Sequence, residues 1–118
     1  LIEHSLSALF DVPHGAGLAV VILGWLRIHR EACAPRIAQL GRRIFFLTEP
    51  SDRQVSDHTA ARLEQWLLSV RAPTTLAELG ISPADIPALS ENPRGLARIW
   101  RLRDYSPARV APLLQCCV

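Results

Sequence analysis

The stretch Ile2-Glu3-His4-Ser5-Leu6-Ser7-Ala8-Leu9-Phe10-Asp11-Val12-Pro13-His14-Gly15-Ala16-Gly17-Leu18-Ala19 carries the reading of the whole chain. Apolar residues at 2, 6 and 9 recur with a period of three to four, which predicts the end of a helix. Asp11, Pro13, Gly15 and Gly17 then supply turn chemistry, and Pro13 disfavours helical geometry at Val12. A tight corner is expected over residues 10–17, with a new helix starting close to His14. His4 and His14 stand ten positions apart on either side of that corner, where a helix followed by a tight turn lets both rings approach one point.

Working outward, residues 16–30 are apolar nearly all round, which argues for a helix buried in a larger protein rather than a surface amphipath. Pro35 suits the first turn of a helix over residues 36–46, with Ile37, Leu40 and Ile44 on one face and Arg36, Arg42 and Arg43 elsewhere. Residues 49–53 are polar and read as a loop. Ser56 is expected to cap a helix running to Val70, with Ala60, Leu63, Leu67 and Val70 apolar and Asp57 near its positive end. Pro73 closes that helix, Thr74 or Thr75 can cap a short turn through Leu79, and Gly80 ends the turn. Ser82, Pro83 and Asp85 form a start signal leading into Ile86, Leu89 and Ser90, interrupted by Pro93 and Gly95. Residues 96–102 are expected to resume as helix, and Ser106 with Pro107 opens a last one through about Gln115. No segment sustains a period of two, only Ile44 to Leu47 is ambiguous, and no repeat of 20 to 50 residues is visible. The expected fold class is all-α, with at least five helices and no sheet.

Composition narrows the function classes. With 118 residues, 13.1 kDa and 49% hydrophobic content, the chain can build one core. It contains no methionine, so Leu1 is expected not to be a translation start, and the chain is expected to be a piece or a processed product of something longer. All 13 basic residues are arginine, yet the formal charge is only +2, and the single cluster of Arg94, Arg98, Arg101 and Arg103 has the spacing of a solvated helix face. No nucleic-acid partner is therefore expected. Cys33, Cys116 and Cys117 form neither a CxxC pair nor a disulfide framework, which fits reduced thiols in a cytoplasm. The longest apolar run, Leu18 to Leu23, falls well short of the ~20 residues a membrane span needs. Neither a membrane partner nor a signal peptide is expected.

Imidazole is a general ligand for Fe or Zn, so His4 and His14 are candidates for a metal site, although on spacing alone two histidines are more readily read as satisfied or surface groups. His29 and His58 lie on polar helix faces and read as surface residues. Glu3 and Asp11 read as solvated acids at helix ends.

The full stretch from Ile2 to Ala19 resembles the histidine-rich signature of iron-containing (group III) alcohol dehydrogenases, especially the butanol-dehydrogenase-like branch. The similarity continues in Arg36-Ile37-Ala38-Gln39-Leu40-Gly41-Arg42-Arg43-Ile44-Phe45, in Leu76-Ala77-Glu78-Leu79-Gly80-Ile81 and in Asp85-Ile86-Pro87-Ala88-Leu89. It implies that residues 1–118 are part of a helical, dehydroquinate-synthase-like C-terminal metal-binding domain, whose N-terminal partner is a nucleotide-binding α/β domain. By that resemblance His14 matches the last of three metal-binding histidines. His4 matches a further histidine near the metal and the nicotinamide, with a catalytic and cofactor-contacting role, that is usually not a direct ligand. The remaining ligands, an aspartate and two histidines, would lie upstream of Leu1. The resemblance further implies Fe2+ or Zn2+ and NAD or NADP in the intact enzyme, an alcohol or aldehyde substrate and a possible homo-oligomer, with no cofactor bound by this chain alone. Where relatives often carry proline before the tryptophan, this chain has Leu23-Gly24-Trp25, a difference expected to affect helix geometry more than chemistry. The alternative is a stand-alone helical interaction module without catalysis.

Overall fold

A computed structural model of the chain describes residues 1–103 and 105–118. Among the described residues there are seven α-helices and no strand: α1 (Ile2–Phe10), α2 (His14–His29), α3 (Ala34–Ile44), α4 (Asp52–Ser69), α5 (Ile86–Glu91), α6 (Arg94–Ile99) and α7 (Pro107–Gln115). The 3-10 turns Ala77–Leu79 and Pro83–Asp85 join α4 to α5. Ile44 to Leu47, ambiguous in sequence, is the end of α3 and irregular backbone.

The punctuation residues act mostly as their chemistry dictates. Glu78 gathers the backbone N–H groups of Thr74 and Thr75, at 2.8 and 3.0 Å, and Gly80 ends the turn at φ 73°. These N–H donors hold the Glu78 carboxyl below its ordinary range. Asp85 accepts from the backbone N–H and the hydroxyl of Ser82, both at 2.8 Å, at the start of the turn that runs into α5. Pro107 opens α7 after Ser106.

Three expectations need correction. The cap of α4 is Ser51, whose Oγ accepts from the Gln54 backbone N–H, and not Ser56. Ser56 lies inside the helix, buried, with its hydroxyl donating to the Arg30 carbonyl at 3.0 Å, so its polarity serves a tertiary contact rather than a helix end. Asp57 accordingly sits well inside α4. On α3 the buried face is Ile37, Ala38 and Gly41, while Leu40 (40% exposed) and Ile44 (59%) face outward. The reason is close helix packing: a Cβ at Gly41 would fall 3.0 Å from Val55 Cγ1 on α4, so small residues mark the contact that large ones were expected to make. The helix expected over 96–102 runs from Arg94 to Ile99 and stops where Arg101 takes a positive φ of 56°.

The main core lies between α1, α2, α5 and α7, with Leu6, Val20, Leu76, Leu89, Val110 and Leu114 at its centre. Gly24 is where α2 meets α7: a Cβ there would lie 2.8 Å from the Leu113 carbonyl oxygen and would overlap Cys117 Sγ. Arg27 ties three helices together, donating to the Cys116 carbonyl at 2.7 Å and to Glu64 of α4 at 2.8 Å. The Leu76 N–H reaches the Cys117 carbonyl at 2.7 Å and fastens the chain end to the middle. The radius of gyration, 14.7 Å, exceeds the ~13.5 Å expected for a compact domain of this length. Extents of 41 × 32 × 21 Å describe a flattened body. On its outer side α2 leaves Leu18, Ile22 and Ile28 exposed, so the helix that is apolar all round in sequence is covered on one side only. No helix among the described residues is long and apolar enough to cross a membrane.

Burial pushes the Cys117 thiol up, from 9.0 to about 11. The fold therefore favours the neutral thiol, a contribution that is complete below about pH 9 and is lost as pH rises toward about 11. At about pH 8 an alkylating reagent is expected to modify Cys33 and Cys116, both partly accessible, and to reach buried Cys117 only after denaturation. Mass spectrometry of the native and denatured protein checks this.

Candidate metal centre

The corner between α1 and α2 is built by local rules. Asp11 closes α1 in the left-handed region at φ 52°, a conformation short polar side chains tolerate. Pro13 precedes α2, and its carbonyl accepts from the N–H groups of Ala16 and Gly17 at 2.9 and 3.1 Å. Val12 is buried beneath the corner, and the Ser7 hydroxyl stands 2.9 Å from its carbonyl. This clamp fixes His14 as the first residue of α2, opposite His4 in the first turn of α1.

The two imidazoles lie with ring centroids 5.6 Å apart and planes tilted by 31°, so the expected approach of His4 and His14 is present. Both are exposed at the surface of the corner. The residue the sequence did not single out is Glu3. Expected to be a solvated acid, it is only 3% exposed and lies under the corner with its carboxylate against His14 Nδ1. Its burial is permitted by Gly17, where a Cβ would sit 2.9 Å from the Glu3 side chain, and by Ser7, whose hydroxyl is 2.6 Å from Oε1. The pairing of Glu3 with Ser7 four residues on, facing a glycine just past the corner, is the signal that was available. Asp11, by contrast, is exposed, as a helix-end acid should be.

Ligand atoms of Glu3, His4 and His14 all lie within 4.8 Å of one another. Two imidazoles and a carboxylate are donors that suit Fe or Zn, so the residues present fit such an ion. Among the described residues no other trio of this kind occurs. His29 instead stacks on Trp25 at 4.8 Å, and His58 pairs with Glu49, whose carboxyl it holds below the ordinary range. The arginines of residues 94–103 are exposed, and Arg94 is paired with Glu91, which agrees with a solvated face.

Comparison with known proteins decides the lineage. Residues 1–100 match the Fe-containing alcohol dehydrogenase family, C-terminal region. The chain belongs to that family. It is 29% identical over 116 residues to the probable NADH-dependent butanol dehydrogenase 1 of Bacillus subtilis, covering 97% of this chain and 30% of the relative. It is 27% identical over 89 residues to the NADPH-dependent aldehyde reductase YqhD of Escherichia coli, covering 75% of this chain and 23% of that one. The crystal structure of NADH-dependent butanol dehydrogenase A from Thermotoga maritima superposes with a TM-score of 0.89 at 26% identity, over 99% of this chain and 31% of that chain. The chain thus spans about a third or less of its relatives' length, and its helices reproduce those of the family's C-terminal region.

Proposed function

We propose that this chain is the C-terminal part of a metal-dependent, NAD(P)-linked alcohol dehydrogenase that interconverts alcohols and aldehydes, and that by itself it is inactive. The observation that carries the reading is the convergence of His4 and His14 at a corner held by Glu3, within a domain whose relatives are named as butanol dehydrogenases and an aldehyde reductase. The outward stripe of Leu18, Ile22 and Ile28 supports a missing partner layer, because an isolated domain rarely leaves so much of one helix uncovered.

On this reading His14 holds Fe2+ or Zn2+ together with donors from the preceding part of the enzyme. The ion would supply Lewis acidity toward the alcohol oxygen, and the nicotinamide would accept the hydride. His4, exposed beside His14, is placed to orient the alcohol and to relay its proton, a task suited to an imidazole, which can both accept and donate one.

The test uses two polypeptides: the 118-residue chain alone, and the same chain joined to a nucleotide-binding N-terminal portion from a butanol dehydrogenase relative. The joined protein is expected to retain about one divalent ion per chain after dialysis and to oxidise butanol, while the chain alone does neither, since a single imidazole competes poorly with water and no nicotinamide is positioned. Turnover by the verified 118-residue chain would overturn the inactivity, and a folded joined protein without metal or turnover would overturn the assignment.

A further inference from the structure

We infer that Glu3 is a positioning residue: its carboxylate accepts a hydrogen bond from Nδ1–H of His14 and thereby leaves the Nε2 lone pair outward, toward the metal of the function proposed above, on which this inference rests. An ionised carboxylate only accepts hydrogen bonds, so an imidazole nitrogen held against it must be the donor. In a neutral ring the other nitrogen is then the free ligand atom, with its tautomer already selected.

Three features show that this contact is built rather than incidental. Glu3 is 3% exposed, and a buried carboxylate is costly unless a partner meets it. Its Oε2 is buried, lies against His14 Nδ1 and meets hydrogen-bond geometry with no group among the described residues, whereas Oε1 is served by Ser7 at 2.6 Å. Gly17 leaves the space that the Glu3 side chain fills, so α1 and α2 approach each other with the carboxylate between them. His4 differs: its ring faces that of His14 at 5.6 Å and is open to solvent.

The tautomer can be read directly. In the 118-residue chain carrying 15N-labelled histidine, the neutral form of His14 is expected to be protonated on Nδ1 and bare on Nε2. Glu3→Leu should move the proton to Nε2, while Glu3→Gln, whose amide oxygen still accepts, should keep it on Nδ1. His29 and His58 signals, far from the corner, report that each variant is folded; should Glu3→Leu not fold, the wild type and Glu3→Gln decide. In the joined protein Glu3→Leu is expected to weaken Zn2+ binding by about 10- to 100-fold, with most of the loss recovered in Glu3→Gln. A wild-type His14 protonated on Nε2, or a folded Glu3→Leu chain with the proton still on Nδ1, would overturn the inference. Loss of zinc as complete as that caused by His14→Ala would overturn it in favour of Glu3 as a ligand. A joined wild-type protein that takes up no zinc would sink the proposed function instead, because the tautomer measurement judges the Glu3 contact without any metal.

Discussion

Replacing His14 by alanine in the joined protein is expected to weaken metal binding by more than about 100-fold, beyond the range for an outer partner, whereas His4→Ala should keep the metal and slow turnover by about 100- to 10,000-fold. The asymmetry follows from the corner. His14 opens α2 with its Nδ1 against a buried carboxylate, which on the inference above selects its tautomer. His4 stands in the first turn of α1 with its ring in solvent, free to approach a substrate oxygen, and removing it deletes a proton relay without uncovering the ion. Metal content after dialysis separates the two variants, and kcat on butanol with NADH or NADPH formation measures the second. Equal metal loss in both would make His4 a ligand and undo the division of roles.

Leu114→Ala is expected to lower the unfolding free energy by about 2–5 kcal/mol, a large part of the ~5–15 kcal/mol typical of a domain. Leu114 is fully buried on α7, within the cluster that also holds Leu6, Val20 and Leu89, and its neighbours are too constrained to collapse into the space. α7 is pinned on both sides, by Arg27 on the Cys116 carbonyl and by the close approach of Leu113 to Gly24. Leu40→Ala, on the outer face of α3, is the control and should stay within about 0.5 kcal/mol. Urea denaturation followed by circular dichroism compares them, and similar midpoints for the two variants would contradict the burial pattern.

The helices themselves were legible because their ends are written in short-range chemistry: Pro13 before α2, Ser82 with Asp85, Gly80, and Pro107 at the start of α7 each act on backbone within three residues. The approach of His4 to His14 was legible for the same reason, since one corner separates them. What could not be read depends on partners distant in sequence. Ser56 has the composition of a cap, but the carbonyl of Arg30, 26 residues away, takes its hydroxyl. Leu40 and Ile44 have the spacing of a buried face, but Gly41 lets α4 approach on another side, and the size of a neighbour's side chain is invisible to periodicity. Glu3 looked like any first-turn acid because the room made for it by Gly17, 14 residues on, shows only once α1 and α2 are packed.

The seam between α2 and α7 also bears on how the chain reaches its fold. Cys117 Sγ lies 3.5 Å from the Val20 carbonyl, 97 residues earlier, and the Leu76 N–H waits for the carbonyl of the same cysteine. Such long closures make folding slow relative to helical proteins held by neighbouring contacts. During synthesis α1 and α2 emerge before α7, so the backbone of Val20 lacks its Cys117 neighbour until the later helix follows. The histidine corner, by contrast, is assembled from residues 3–17 alone, so its shape can form early on a nascent chain whose core is still open.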